Sequence, residues 1–168
     1  MKTLYLVRHA KSDWGNEGIA DIDRPLNARG YRDAQVMSNL MKNKKLIPDL
    51  IISSPAIRAI STALIFCRNF NLNYSAIAIN ANLYDTSVKH HTDIISKVNN
   101  QIKSVMIVAH NPIISDLASS LTSPIAESIP TCGCVGIRQS ALGEWTTFNT
   151  TKRELVFYDF PKNHLGTN

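Results

Sequence analysis

The sequence predicts an α/β fold, a three-layer α/β/α sandwich around a mostly parallel central sheet, and three observations carry that expectation. Short β-branched apolar runs, the signature of strands buried on both faces, recur along the chain. Between them lie longer stretches with apolar residues in helical spacing. The residues with chemistry to offer follow directly after the strands, where ligands bind in open α/β sheets. Alternating strand and helix requires crossover connections, and these place helices on both faces of the sheet.

The first strand is expected over residues 3–7, and Arg8-His9 ends its apolar run. That run is far too short for a signal peptide or a membrane span, so a cytoplasmic protein without a membrane partner is expected. Val36, Met37, Leu40 and Met41, after Gly30, predict the first helix. A second strand over 50–53 leads through Pro55 to a helix marked by Ile57, Ile60, Leu64 and Cys67. A weaker strand near 76–79 precedes a helix carrying Val88, His91, Ile95 and Val98. The strand over 105–109 is followed, after Pro112, by Ile113, Leu117 and Leu121, and two further strands fall near 135–138 and 155–158. Without a repeat, a linker or a low-complexity tract, residues 1–168 read as one domain whose motifs lie within 3–120. The Pro/Asn/Gly-containing C-terminal tail is expected to fray.

The formal charge of +5 favours the approach of a phosphorylated or acidic partner. No Lys/Arg run or basic-aromatic stripe is present, so nucleic acid is not expected as a partner. Cys67, Cys132 and Cys134 are an odd count without metal-finger spacing, and Cys132-Gly133-Cys134 lacks the two intervening residues of the common redox motif. They read as buried or incidental thiols. His90, His91 and His164 show no pattern with carboxylates or cysteines, so surface positions are expected for them and no metal or other cofactor is implied.

Three strand ends deliver Arg8-His9-Ala10, Ser53-Ser54-Pro55 with Arg58 a turn further on, and His110-Asn111-Pro112 to one edge of the sheet. Guanidinium groups match phosphate oxygens in bidentate fashion, and helix N-termini add backbone donors. A neutral imidazole in such a ring, with an ordinary pKa of about 6.5, can attack phosphorus. The chemistry predicted is phosphoryl transfer.

The segment Leu6-Val7-Arg8-His9-Ala10-Lys11-Ser12 resembles the Arg-His-Gly signature of the histidine phosphatase, or phosphoglycerate mutase-like, superfamily. Asp23-Arg24-Pro25-Leu26-Asn27-Ala28-Arg29-Gly30 resembles its turn before the first helix, residues 53–63 its second motif, and Val108-Ala109-His110-Asn111-Pro112 its second histidine. The short length and the His-Asn-Pro form of the second histidine most resemble the SixA-type phosphohistidine phosphatases. The resemblance implies a phosphoglycerate mutase-like fold, with His9 as the nucleophile that becomes transiently phosphorylated. It also implies that Arg8, Arg58 and His110 hold the phosphoryl oxygens, with Ser12 as a further candidate contact. Asp85 is the candidate proton donor, with Asp13 behind it as a loop carboxylate, while Asn111 and Pro112 are expected to start a helix.

Departures from the pattern narrow the function. Lys11 and Gly15 stand where mutases carry glutamate and asparagine, and Asn111 follows the second histidine where acid phosphatases carry aspartate. The weak general acid suits phosphohistidine, whose protonated imidazole already leaves well. His9, Arg58 and His110 lie about fifty residues apart, which leaves little room for a cap over a small metabolite. The function expected is dephosphorylation of phosphohistidine on a protein, with a histidine phosphotransfer domain as a candidate partner. The alternatives are a phosphatase of small phosphate esters or of phosphoserine and phosphothreonine, and a non-catalytic phosphate-binding module.

Overall fold

The structure is a computed structural model that describes residues 1–15, 17–122, 128–139 and 142–164, so the last four residues of the expected tail lie outside the described residues. Strands β1 (Thr3–Arg8), β2 (Leu50–Ser53), β3 (Ile77–Ile79), β4 (Ser104–Ala109), β5 (Cys134–Gln139) and β6 (Arg153–Asp159) form a sheet in the order β3-β2-β4-β1-β5-β6. β3, β2, β4 and β1 run parallel, while β5 is antiparallel to β1 and β6 to β5. The fold is therefore mixed α/β, with four parallel strands from the β3 edge to β1 and the antiparallel strands β5 and β6 at the other edge, a mostly parallel sheet as the alternation of elements predicts.

The helices are α1 (Ala28–Asn43), α2 (Ile57–Asn69), α3 (Val88–Ser96) and α4 (Ile113–Leu121). Side chains alternate across a strand, and β1 shows the consequence for layering. Tyr5 and Val7 join Met37, Met41 and Phe66 of α1 and α2 in one core, while Leu4 and Leu6 join Ile95 and Leu117 of α3 and α4 in the other. Trp145 and Phe148, in a stretch with no readable motif, are fully buried in the second core, with the Trp145 indole donating to the Ile102 carbonyl at 2.8 Å. The three cysteines are free and buried.

The expected stripe on α2 requires correction. Ile57 and Leu64 are 39% and 41% exposed. The face turned inward carries Arg58, Ala59, Thr62, Ala63, Ile65 and Phe66, and of the expected stripe Cys67 alone is fully buried. The Thr62 hydroxyl accepts from the Ala10 N–H at 3.0 Å, so this face is chosen partly by polar links to the first strand end. His91 also departs from expectation: it is buried on α3, whereas His90 and His164 are exposed.

The start of α1 fixes the chain after His9. Asn27 caps the helix by accepting from the Gly30 N–H at 2.8 Å, and the Asn27 N–H donates to the Lys11 carbonyl at 3.0 Å. Gly30 lies so close to Lys11 that a Cβ would collide with the Lys11 carbonyl oxygen.

Candidate active site

Register brings the strand ends together. Arg8 pairs with Ala109 across β1 and β4, and Ser53 pairs with Val108 across β2 and β4, so the residues that follow emerge side by side. The His9 and His110 rings are 5.0 Å apart. The His9 Nδ1 lies 2.7 Å from the Ala10 carbonyl oxygen. A carbonyl can only accept, so Nδ1 carries the proton and Nε2 holds the lone pair. Arg58 Nε donates to that Nε2 at 3.3 Å.

His9 is 8% exposed. Burial lowers its pKa to about 3, helped by His110, Arg58 and Arg8 and opposed by the hydrogen bond to Ala10. The ring is therefore a neutral base throughout the neutral range.

Arg58 sits in the first turn of α2, where a cation opposes the helix dipole, and it is only 5% exposed. A buried cation at the wrong end of a helix breaks a local rule, which is the mark of a functional position. Its Nη1 donates to the Asp21 backbone carbonyl and its Nη2 to Asp21 Oδ2 at 2.8 Å. The same Oδ2 accepts from the Tyr84 hydroxyl at 2.8 Å, and Oδ1 accepts from Arg24 Nε at 2.9 Å. Burial works to raise the Asp21 pKa, but donors on Tyr84, Arg58 and Arg24 together outweigh it and hold the carboxyl well below the usual carboxylate range.

His110 is half-buried, with Nε2 2.7 Å from the Ser54 hydroxyl and Nδ1 buried without a partner. Burial, followed by the Arg58 charge, lowers its pKa to about 4. Tyr84 meets its ring edge-on at 5.5 Å. Arg8 Nη1 donates to the Ile129 carbonyl at 2.8 Å, while Arg8 Nε is buried without a partner. Buried polar atoms are nearly always satisfied, so these two orphans mark the strand ends as a place where polar groups are held in spite of the cost.

The remaining expected residues fall elsewhere. The Ser12 hydroxyl is buried and accepts from Arg24 Nη1 at 2.8 Å, supporting an arginine whose guanidinium stacks 3.6 Å over the Trp14 ring. Asp13 caps its own loop by accepting from the Gly15 N–H at 2.8 Å. Asn111 and Pro112 do stand before α4, but the Asn111 amide donates to Ser128 and to the Ile129 carbonyl, and its oxygen accepts from Ser115 at 2.7 Å. Asn111 thus ties residues 128–129 to the helix and makes no side-chain cap. Asp85 is exposed at a backbone φ of 50° on the wall of a cavity of about 290 Å³ that His110 and His91 also line.

Residues that the sequence did not single out are therefore Asp21, Arg24, Tyr84, Ser54 and His91. Arg24 and Ser54 lay within recognisable motifs but carried no signal of role, and Tyr84 adjoins the carboxylate chosen as acid. Asp21 lies on a 3-10 turn with no periodicity that could reveal it. Among the described residues, no cluster of three or more His, Cys, Asp or Glu side chains could hold a metal ion. The arrangement joins a neutral imidazole, its Nε2 lone pair met only by a long contact from Arg58, to the guanidinium groups of Arg8 and Arg58, which is a geometry for attack on a tetrahedral anion.

Residues 4–94 match the histidine phosphatase superfamily (branch 1). The chain is 28% identical over 166 residues to Rv1276c of Mycobacterium tuberculosis, an uncharacterised protein, covering 93% of this chain and all of that one. Its fold aligns with that of a candidate phosphohistidine phosphatase, SixA from Agrobacterium tumefaciens, at a TM-score of 0.79 and 27% identity, over 95% of this chain and 98% of the other. A mycobacterial glucosyl-3-phosphoglycerate phosphatase, Rv2419c, shares the fold at a TM-score of 0.68 and 15% identity, over 92% and 97% of the two chains.

Proposed function

The chain belongs to the histidine phosphatase superfamily and is a phosphatase; on that premise we propose that His9 is its nucleophile and that its substrate is phosphohistidine carried on a protein. One observation carries the first half of this reading. The Ala10 carbonyl accepts a hydrogen bond from the Nδ1–H of His9, so the lone pair stands on Nε2, beside Arg58.

The reaction runs in two displacements. His9 Nε2 bonds to phosphorus as the leaving group departs, while Arg8, Arg58 and His110 receive the phosphoryl oxygens. Arg58 gives up its long contact with His9 to do so, and Asp21 holds the other edge of its guanidinium fixed. Water then attacks phosphorus, the P–N electron pair returns to Nε2, and the water protons leave with inorganic phosphate. The Nδ1 hydrogen bond to Ala10 steadies the positive charge on phosphorylated His9.

The substrate reading rests on the carboxylates. Asp21 is held ionised by Tyr84, Arg58 and Arg24, so it has no proton to give. Asp85 lies exposed on a cavity wall. A protonated phosphohistidine ring departs as neutral imidazole and needs no donor, whereas an alkyl ester does. The ester alternative has one observation in its favour, namely that Asp85 shares the cavity with His110.

The test is phosphate release from a histidine-phosphorylated phosphotransfer domain and from p-nitrophenyl phosphate, by wild type and His9→Ala, with acid-labile label sought on His9. Faster turnover of the phosphoprotein, lost in His9→Ala, is expected. Preference for the ester transfers the assignment to a small-ester phosphatase.

A further inference from the structure

Trp14, on the loop that follows the nucleophile, is 69% exposed, whereas Trp145 is fully buried. A large aromatic ring left in water is unfavourable in the free protein, and such rings are the usual anchors of protein interfaces. The ring is also held in place. The Arg24 guanidinium lies over one face at 3.6 Å, so the exposure of the ring belongs to its other face. Arg24 does not depend on the ring in return. Its Nη1 donates to the Ser12 hydroxyl at 2.8 Å and to the Asp13 carbonyl at 3.3 Å, while Nε and Nη2 reach Asp21 Oδ1 at 2.9 and 2.8 Å. The arginine is a fixed support, and the indole is a surface held ready on it.

Trp14, Glu17, Ile19, Asp21 and Arg24 line a cavity of about 380 Å³. None of the side chains that act on phosphorus lines it, and it adjoins them through Asp21, whose Oδ2 accepts from Arg58 Nη2 at 2.8 Å. An occupant therefore sits beside the phosphoryl group and does not carry it. Asp21 pairs with Arg24, which offsets the cation under the ring. The charge left on the wall is that of Glu17, which is exposed and makes no ion pair among the described residues. Asp13 and Asp23 are also exposed on this loop, and residues 12–23 contain no lysine or arginine, although the chain as a whole carries a formal charge of +5. An open indole face with an unmatched carboxylate beside it is complementary to a cation on an aliphatic stem.

From these placements we infer that the Trp14 cavity is a docking subsite for a lysine or arginine side chain that flanks the phosphohistidine on the substrate protein. Trp14 supplies the ring face and Glu17 the counter-charge. The inference rests on the phosphohistidine reading above and adds how the polypeptide around the phosphorylated ring is chosen. The phosphoryl dianion meets Arg58 on one side of Asp21, and the flanking cation meets Glu17 on the other, so the substrate is read as an anion with a cation next to it. A flanking carboxylate is repelled by Glu17, which makes the subsite select against acidic neighbours as well as for basic ones. No bond is made or broken there. Free phosphoimidazole has no flanking side chain and is indifferent to the subsite.

The experiment compares kcat/KM for two synthetic peptides, each phosphorylated on a single histidine and flanked by either arginines or glutamates, in wild type, Trp14→Ala and Glu17→Lys, with phosphoimidazole as the control. Wild type is expected to prefer the arginine peptide about fivefold or more, against the long-range pull of its own net charge. Each variant is expected to lower that preference about threefold or more while its turnover of phosphoimidazole stays within about twofold of wild type. Equal turnover of the two peptides by wild type, or a preference kept in both variants, overturns the subsite and leaves the phosphohistidine reading intact. A matching loss on phosphoimidazole in Trp14→Ala also overturns it, because the ring then serves only to hold Arg24. A wild type that hydrolyses p-nitrophenyl phosphate but neither peptide nor phosphoimidazole removes that reading and the subsite with it. Fluorescence gives a second measurement with Trp14 in place. In His9→Ala, the phosphorylated arginine peptide is expected to shield Trp14 from acrylamide quenching and the glutamate peptide to leave it open. Equal shielding, or none, overturns the proposal.

Discussion

The two sides of the site are built by different means. On the phosphoryl side, His9, Arg8 and His110 are fixed by the parallel register of β1 and β4, and Arg58 by the first turn of α2. On the leaving-group side, Asp21 comes from a 3-10 turn and Tyr84 and Asp85 from an irregular turn. The first side is rigid because strands cannot shift singly within a sheet. The second depends on loop conformation, so specificity can change there without disturbing the nucleophile. Asp21 links the two, accepting from Arg58 on one side and Tyr84 on the other.

If the division holds, the largest effects belong to the phosphoryl side and strike every substrate alike. His9→Ala is expected to lower kcat/KM on the order of 10⁴-fold or more for phosphoprotein and ester, with no labelled enzyme formed. Retained turnover in that variant would falsify the assignment of the nucleophile. Arg58→Lys keeps the charge but loses the fork that bridges phosphate and Asp21, and a loss of about 10²-fold on both substrates is expected. A loss confined to one substrate would place Arg58 on the other side of the comparison.

Legibility from sequence follows the same line. His9, Arg58 and His110 could be located because strand ends are visible as the limits of apolar runs, and the parallel sheet then brings them together. Tyr84 could not be told from Asp85, since which of two adjacent loop residues turns inward depends on backbone angles. Here Asp85 takes a φ of 50° at the exposed position, while the Tyr84 hydroxyl reaches Asp21. His91 held two conflicting signals: its spacing with Val88 and Ile95 placed it on the apolar face, while its residue type suggested the surface. Position prevailed, because α3 must cover the second core whatever residue occupies that face. On α2 the opposite happened, where partners for Arg58 and Thr62 turned the helix away from its most apolar stripe.

The rigid side also predicts a pH response. His9 and His110 have pKa values lowered to about 3 and about 4. The unfolded chain therefore binds more protons than the folded one between those values and about 6.5, so stability rises with pH across that window. Cooling of the melting temperature is expected as pH falls from 6.5 towards 4, with a cost of up to a few kcal/mol that His110→Asn partly removes. The depressed Asp21 carboxyl adds to the loss only below its ordinary range, near pH 4. Urea midpoints at several pH values check this. A flat profile would mean the histidines are not desolvated as their burial requires. Activity, corrected for substrate ionisation, should show no acid limb near pH 6.5, because His9 is already neutral there.

The smallest effect is the most discriminating. Asp85→Asn alters a carboxylate on the leaving-group side that is exposed and stands at a turn whose φ asparagine also tolerates, so folding is expected to be unchanged. With phosphohistidine the leaving ring brings its own proton, and the change in kcat/KM should stay within about twofold. With p-nitrophenyl phosphate the leaving phenolate is also stable without protonation, so the informative ester is an alkyl phosphate, which needs an acid. A loss of about 10²-fold on the alkyl ester alone would make Asp85 its proton donor and place ester hydrolysis within the enzyme's chemistry. The same loss on phosphohistidine would break the division, since the loop side would then be taking part in bond cleavage and not only in choosing the leaving group.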